Sequence, residues 1–227
     1  MQDAVVDLLD ANAEHAREFA GRFDDVQDAQ RPAVVSVSCA DSRVLHDHVW
    51  GNDEPGRVFT CSNIGNRVFQ RVDGEDVVSG DVLYPIEHTG TEVAVVVGHT
   101  GCGAVTATYD AVQGVLDEPA GIARCLALLE PHLAPGVDAL PDDLGRAERI
   151  NRLVEYNVDR QVDLLLASDD VPDAVDVLGV VYDFQDVYDG ARGEVHVVNV
   201  DGETAPEAIR EAHPALAHRI GRLWTDE

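Results

Sequence analysis

Two groups of side chains that can bind a metal follow apolar runs of the sequence. Cys39 ends the run AVVSVSC, and His99 and Cys102 follow the run VAVVVG about 60 residues later. Two thiolates and one imidazole are a common zinc set that leaves a fourth position open for water or substrate. If the two runs are neighbouring strands, the three side chains meet at one edge of the sheet. The sequence therefore predicts a zinc centre of Cys39, His99 and Cys102.

An acidic and a basic residue lie just after the first of these cysteines. Arg43 is two residues from Asp41 and can hold its carboxylate ionised through two parallel hydrogen bonds. The residues alone leave two roles open for Asp41, either as a fourth ligand or as a group beside the metal. A structural zinc is the competing interpretation, but such sites usually take four protein ligands in short paired spacings. We therefore expect a catalytic centre.

The elements that must position these residues alternate along the chain. Apolar periodicity predicts helices over about 3–20, 80–88, 104–112, 120–133, 143–167 and 206–223. Apolar runs predict strands over 33–38, 57–61, 92–98, 175–182 and 194–200, and PHLAPGVDALPDD predicts a turn-rich link over 131–143. This alternation predicts one α/β domain over 1–227, in which a mostly parallel sheet is flanked by helices. In such sheets, ligands bind at the carboxyl ends of the strands.

The charge of the chain excludes some classes of partner. There are 43 acidic and 16 basic residues, all 16 of them arginine, and the formal net charge is -27. Such a surface repels nucleic acid and anionic lipid, so we expect neither nucleic acid nor a membrane as a partner. At molar salt the Debye length falls to about 3 Å, which relieves the self-repulsion of the chain and favours a halophilic source.

No stretch of the sequence predicts export or membrane insertion. The apolar runs fall short of the roughly 18 residues that a membrane helix needs. The start MQDAVVDLLD is acidic and lacks the basic region of a signal peptide. Four cysteines in a chain of this length do not indicate a disulfide framework. We expect a cytoplasmic protein.

Several segments together resemble the β-class carbonic anhydrases. The most specific are CADSRV over 39–44 and GHTGCGAV over 98–105. Further similar segments are RVFTCSNIGN over 57–66, YPIEH over 84–88, EYNVDRQVDLL over 155–165 and VLGVVYDFQDVYDGARGEV over 177–195. Gln30 stands nine residues before Cys39, as a glutamine of the family does. The resemblance covers nearly the whole chain.

The resemblance implies a fold, an assembly and a reaction. The fold is a Rossmann-like core of four parallel strands with a further strand added. The assembly is an obligate homodimer, or a larger oligomer, in which residues 1–30 form a helical arm on the partner subunit and the active sites lie at the interface. The reaction is the zinc-dependent, reversible hydration of CO2 to bicarbonate and a proton.

The resemblance also assigns roles to single residues. It places zinc on the three predicted ligands and assigns Asp41 and Arg43 to a catalytic carboxylate–guanidinium pair. It assigns the substrate pocket to Gln30, Phe59, His88 and Gly103. Candidate proton relays are His46, His48 and His88, because histidine titrates near neutrality.

Two other functions use the same residues. Relatives of the family hydrolyse CS2 or COS with the same zinc set, and the motifs do not separate these substrates from CO2. A chain without catalysis could also keep the zinc as a structural element. The presence of Asp41, Arg43 and Gln30 argues against this last function, since a structural site does not need them.

Overall fold

A five-stranded sheet places the carboxyl ends of its parallel strands along one edge. The computed structural model describes residues 2–115 and 117–225. The strands are β1 (Val34–Cys39), β2 (Val58–Asn63), β3 (Phe69–Val72), β4 (Glu75–Val78), β5 (Val93–His99), β6 (Asp176–Asp183) and β7 (Glu194–Val200). Five of them form the sheet in the order β2-β1-β5-β6-β7, in which only β7 runs antiparallel to its neighbour. The predicted mostly parallel sheet is confirmed.

We name the two ends of the parallel strands for use below. The carboxyl edge is the end formed by Cys39, Asn63, His99 and Asp183. The amino edge is the end formed by Val34, Val58, Val93 and Asp176. The predicted metal ligands lie at the carboxyl edge.

Helices cover both faces of the sheet. They are α1 (Gln2–Phe19), α2 (Gly80–Thr89), α3 (Gly103–Val112), α4 (Ala120–Ala139), α5 (Arg146–Leu166) and α6 (Pro206–Ala212). Short 3-10 helices lie at Ala20–Phe23, His48–Trp50 and Pro214–Arg219. One apolar cluster joins α2 to α5 to one face, and a second joins α6 and the C-terminal segment to the other. None of the helices within the described residues is long and apolar enough to span a bilayer.

The predicted link over 131–143 is wrong over its first part. Helix α4 continues through Pro131 and Pro135 to Ala139. Leu129, Leu133 and Val137 recur at a spacing of four residues and are buried on one face of this helix. Burial of that face therefore outweighs the cost of the two prolines.

Two other local features differ from the sequence prediction. The predicted helix over 206–223 ends at Ala212, where Pro214 follows and the chain turns into a short 3-10 helix. The antiparallel hairpin of β3 and β4 was not predicted. Asp73 and Gly74 have φ of +52° and +94° at its turn, which is the backbone that an Asp-Gly hairpin requires.

Helix α5 packs closely on the centre of the sheet because two glycines leave room for it. A Cβ on Gly98 of β5 would lie 2.7 Å from Val158, and a Cβ on Gly179 of β6 would lie at the same distance from Val158. The buried face of α5 also carries polar side chains, including Asn151 and Glu155. These polar groups reach the loops at the carboxyl edge.

Candidate metal centre

Three predicted ligands meet at the carboxyl edge. Cys39 is the last residue of β1, His99 is the last residue of β5, and Cys102 immediately precedes α3. Their ligand atoms all lie within 4.8 Å of one another, and the two sulfurs are 3.8 Å apart. All three residues are buried, with relative exposures of 5%, 1% and 1%. The arrangement can hold a small cation inside one chain.

The hydrogen bonding of His99 leaves one ring nitrogen for such a cation. Its Nδ1 lies 3.0 Å from the carbonyl oxygen of Thr100, which can only accept, so Nδ1 carries the proton. The Nε2 atom is buried and has no hydrogen-bond partner among the described residues. It faces Asp41 Oδ2 at 3.6 Å. A nitrogen lone pair and a carboxylate oxygen repel each other unless a positive charge lies near both, so this nitrogen fits a metal ligand.

The two thiols also fit a cation. The hydrogen bond with Cys102 is the main cause that lowers the pKa of Cys39 to about 5, and hydrogen bonds with His99 and the Gly65 backbone act in the same direction. The same contact and burial raise the pKa of Cys102. A second thiolate beside the first therefore needs a compensating positive charge, which a divalent ion supplies. Backbone hydrogen bonds from Ala104 and Val105, at the start of α3, favour the Cys102 thiolate.

The loop between His99 and Cys102 is held by helix α5. Gly101 has φ of +62°, and a Cβ there would lie 2.5 Å from the Gln185 side chain, so glycine suits the position. Asn151 of α5 accepts a hydrogen bond of 2.8 Å from the Gly101 backbone N–H. The loop thereby gains a fixed attachment to α5 between the two ligands.

Asp41 and Arg43 form a bidentate ion pair beside the cluster. Arg43 Nε donates to Asp41 Oδ1 at 2.9 Å, and Arg43 Nη2 donates to Oδ2 at 2.7 Å. The Arg43 backbone N–H adds a third hydrogen bond of 2.9 Å to Oδ1. These hydrogen bonds hold the pKa of Asp41 well below its usual range. The carboxylate is therefore a permanent acceptor at the mouth of the cluster, and it stays engaged with Arg43.

Three of the four predicted pocket residues lie at the other end of the sheet. Phe59 pairs with Val35, four residues before Cys39, which places it about 13 Å from the ligand end of β1 at 3.3 Å per residue. Gln30 precedes β1. His88 is in the last turn of α2, and just after this helix Thr91 donates a hydrogen bond to the carbonyl oxygen of Pro32, which also precedes β1. Gly103, the first residue of α3, is next to Cys102.

The candidate proton relays do not form one chain of hydrogen bonds among themselves in the described residues. His46 Nδ1 lies 2.7 Å from the hydroxyl of Ser38. His48 is exposed at the start of a 3-10 helix. The exposed His88 packs beside Tyr84, with ring centroids 5.1 Å apart, and Tyr84 also contacts Phe59 at 6.2 Å. The amino edge thus carries an aromatic group that is separate from the metal cluster.

Residues that contact the site but were not singled out from the sequence include Thr100, Asn151 and Phe184. Phe184 follows β6 and stacks on His99, with centroids 5.6 Å apart and planes 25° apart. Its ring also lies 4.6 Å from Arg43 Cζ. The only signal was its place in the segment VLGVVYDFQDVYDGARGEV, which shows resemblance but gives this phenylalanine no role.

Comparisons with known proteins agree with this geometry. The sequence profile of a family described as carbonic anhydrase matches residues 34–209. A Pseudomonas aeruginosa carbonic anhydrase is 30% identical over 178 residues, which are 74% of this chain and 79% of that protein. A Helicobacter pylori carbonic anhydrase is 28% identical over 104 residues, 45% of this chain, and the match spans about half of that relative's length (47%).

The fold is shared with solved structures. Tetrameric β-carbonic anhydrases from Sordaria macrospora include a chain that matches with a TM-score of 0.65 and 22% identity, over 87% of this chain and 96% of that one. At this identity the likeness concerns the fold. The profile match runs from β1 into α6 and includes Cys39, His99 and Cys102. The chain therefore belongs to the carbonic anhydrase family and has the fold of its β class.

Proposed function

We propose that the protein catalyses the reversible hydration of CO2 to bicarbonate and a proton, with zinc bound by Cys39, His99 and Cys102. The observation that carries this proposal is the buried Cys-His-Cys cluster with an intact Asp41–Arg43 pair beside it. Membership of the carbonic anhydrase family supports the same reaction. A purely structural zinc would not need the ionised carboxylate at the mouth of the cluster.

The residues around the cluster have distinct roles in this proposal. A bound zinc lowers the pKa of water from about 15.7 to about 7, which supplies hydroxide near neutrality. Asp41, kept ionised by Arg43, accepts the hydrogen bond of the attacking oxygen and directs its lone pair towards the carbon of CO2. Thr100 holds the His99 ring by its Nδ1–H and leaves Nε2 for the metal. The released proton passes to buffer, with His46, His48 and His88 as candidate relays.

The substrate pocket needs a second copy of the chain in this proposal. Gln30, Phe59 and His88 lie at the amino edge, too far from the ligands of their own chain to share a pocket with them. An interface that joins the amino edge of one copy to the carboxyl edge of the other would supply these residues. Gly103 would contribute to the pocket from the chain that holds the metal.

Helix α1 supports the same assembly. Four of its apolar side chains are between 52% and 71% exposed, namely Val5, Val6, Leu8 and Leu9. Burying apolar surface stabilises a protein by about 25 cal/mol per Å², so a partner that covers them would be favoured. Within the described residues α1 packs mainly on the 3-10 helix that follows it. At the amino edge, Val34, Trp50 and Val58 are among the residues that line a cavity of about 260 Å³, which can accept apolar side chains. We propose that α1 is the arm that binds the partner subunit in a homodimer, and that it belongs to the same single domain as the sheet. We also propose that the protein is cytoplasmic and comes from a cell with a high internal salt concentration.

Two assays at high salt, each run with and without the metal, test the reaction. CO2 hydration and CS2 hydrolysis are measured with the same zinc-loaded protein, and again after a chelator has removed the metal. We expect metal-dependent CO2 hydration that exceeds CS2 hydrolysis. Faster CS2 turnover would assign the alternative hydrolase function, and a zinc-loaded protein without either activity would be a structural zinc protein.

Two variants test the role of the ion pair. Asp41→Asn and Arg43→Ala should each keep zinc and lose activity by about 10- to 100-fold, because the group that orients the attacking oxygen is lost or freed. Zinc content and CO2 hydration are measured on the same samples. Turnover near that of the unchanged protein, with zinc retained, would remove the ion pair from the mechanism.

A further inference from the structure

Phe184 touches a proposed metal ligand and the ion pair at the same time. One side-chain ring stacks on His99 at 5.6 Å and also lies 4.6 Å from the guanidinium carbon of Arg43. Arg43 in turn holds both carboxylate oxygens of Asp41. Among the described residues, no side chain of the motifs over 39–44 and 98–105 contacts both the His99 ring and the Arg43 guanidinium through an aromatic ring. The ring therefore links the two parts of the site.

The backbone of Phe184 is attached to the same loop that orients His99. Its N–H donates to Thr100 Oγ1 at 3.2 Å, and Thr100 Oγ1 donates to Asp183 Oδ1 at 3.1 Å. Asp183 also accepts backbone hydrogen bonds from Gln185, Val187 and Tyr188. Since the Thr100 carbonyl holds His99 Nδ1, the ring of Phe184 and the ring of His99 share one support.

Arg43 needs such a support because much of its side chain is exposed. Its side chain is 49% exposed, against 15% for that of Asp41. Exposed ion pairs are weak, since water competes for the guanidinium and ordering a long side chain costs entropy. An aromatic face takes up one face of the guanidinium plane and leaves its in-plane N–H groups free for a bidentate carboxylate. Phe184 thus favours the orientation in which Arg43 binds both Asp41 oxygens.

The position of Asp41 makes this orientation matter for a metal. Asp41 Oδ2 lies 3.6 Å from His99 Nε2. Two ligands of one tetrahedral zinc ion, each about 2.0 Å from it, are separated by about 3.3 Å. A small rotation would therefore make Asp41 a fourth ligand if Arg43 released it. The contacts of Arg43 are what oppose that rotation.

We propose that Phe184 is a positioning residue that keeps Asp41 paired with Arg43 and so keeps the fourth position of the metal open. When the ring is removed, Asp41 is released and takes that position. This inference rests on the metal centre of the proposed function. It concerns which group occupies the fourth position, and it does not depend on which substrate the open site takes.

The test uses cobalt-substituted protein, because Co(II) reports its ligands by absorption. Thiolate charge-transfer bands show that the cluster binds metal, and the visible bands shift when thiocyanate enters an open fourth position. In the unchanged protein we expect thiolate bands and a thiocyanate response. In Phe184→Leu we expect thiolate bands but a weaker response. If Asp41 occupies the position in about 90% of molecules, the apparent Kd of thiocyanate rises about tenfold.

Three further variants identify the cause. Phe184→Leu combined with Asp41→Asn should regain the thiocyanate response, because the competing carboxylate is gone. Phe184→Tyr keeps the ring face and should respond like the unchanged protein. Tyr109→Leu is the matched control, since the Tyr109 ring also lies beside an arginine (Arg146, 5.5 Å) that binds both carboxylate oxygens of an aspartate (Asp110, 2.8 Å), but it lies near the end of α3, away from the cluster. Its cobalt spectrum should not change.

The outcomes separate this inference from the proposed function. Thiolate bands in Phe184→Leu with an unchanged thiocyanate Kd would overturn the role of Phe184 and leave the metal centre standing. Absence of thiolate bands in the unchanged protein would overturn both. If Phe184→Leu loses cobalt through instability, Phe184→Met is measured instead, because its flexible thioether fills the space without a flat face. An unchanged Kd in Phe184→Met overturns the inference in the same way.

Discussion

The two edges of the sheet differ in how completely one chain assembles them. At the carboxyl edge, Cys39, His99 and Cys102 are buried, and their surroundings are joined by hydrogen bonds from several elements. At the amino edge, Gln30 and His88 are exposed. Tyr84, between His88 and Phe59, is 48% exposed. One chain thus completes the proposed metal half of the site, while the proposed substrate half faces outward.

The difference has a physical origin in helix α5. Gly98 and Gly179 let this helix approach the strands, and its amide Asn151 reaches the ligand loop. At the amino edge, Phe59 contacts helix α2 through Tyr84 and is only partly buried. Rigidity is therefore built into the edge where metal ligands must be held within tenths of an ångström. The amino edge, which holds only proposed substrate contacts, needs less rigidity and could be completed by association.

The largest expected effect is at the carboxyl edge. Cys102→Ala should abolish zinc binding and activity, because two remaining protein ligands are too few for tight zinc binding. Zinc per chain is measured after dialysis against a weak chelator. Cys125→Ala is the matched control, since Cys125 is outside the cluster and should keep its full zinc content. Equal zinc content in the two variants would refute the ligand assignment.

The next effect concerns the amino edge and uses two damaged chains together. Phe59→Ala alone should lower activity about tenfold or more, the usual cost of a truncated pocket side chain. Cys102→Ala alone should be inactive. If the amino edge serves the partner subunit, a mixed dimer contains one intact site, so co-expression at equal amounts should restore about a quarter of the sites in a random mixture of two-fold dimers.

A control distinguishes this complementation from simple dilution. Asp41→Asn and Cys102→Ala both damage the carboxyl edge, so their mixed dimer has no intact site and should gain no activity. Activity is measured on mixed dimers purified by two different tags. Equal, low activity in the Phe59→Ala mixture and in the control mixture would show that Phe59 acts within its own chain.

The two edges also differ in how well the sequence predicts them. The ligands and the Asp41–Arg43 pair lie in short motifs at the ends of apolar strands, so local spacing and strand order were sufficient to bring them together. Phe59 and His88 were assigned by the family resemblance instead, because the chain whose metal they would serve depends on an interface that residue spacing does not encode. Phe184 was missed because its proposed role depends on contacts with His99 and Arg43, which are more than 80 residues away in sequence.

Salt tests whether two copies can approach each other at the amino edge. With a net charge of -27 per chain, association brings strongly acidic surfaces together. Raising the KCl concentration from about 20 mM to about 2 M shortens the Debye screening length to below about 3 Å. We expect Tm and dimer fraction to rise together, and about 3 kcal/mol of relieved repulsion would raise Tm by about 10 °C. Calorimetry and light scattering measure the two quantities. A protein that is equally stable and dimeric at both salt concentrations would contradict the dependence.

The smallest effect tests the support behind the carboxyl edge. Glu155 of α5 is fully buried and accepts hydrogen bonds from the Tyr188 hydroxyl and from the Leu223 and Trp224 backbone N–H groups. Tyr188 belongs to the segment that Asp183 binds after β6, so this carboxylate connects the C-terminal segment to the site. Burial is the main cause that raises the pKa of Glu155, from 4.5 to about 6.

This pKa sets the sign of a pH effect on stability. Because the folded protein holds the Glu155 proton more tightly than the unfolded chain, this stabilisation is full below the unfolded pKa and is lost as pH rises through about 6. Glu155→Gln cannot titrate. From pH 7 to pH 5 the unchanged protein should therefore gain about 1 kcal/mol over the variant, or about 2 to 4 °C in Tm for a chain of this length. Both proteins are scanned in high salt, so that repulsion among the other carboxylates is equally screened. The contrary result is a Tm difference between the two proteins that stays constant between the two pH values, or that changes in favour of Glu155→Gln at pH 5. Either outcome would show that Glu155 is charged at both pH values, because its hydrogen-bond donors outweigh the effect of burial on its pKa.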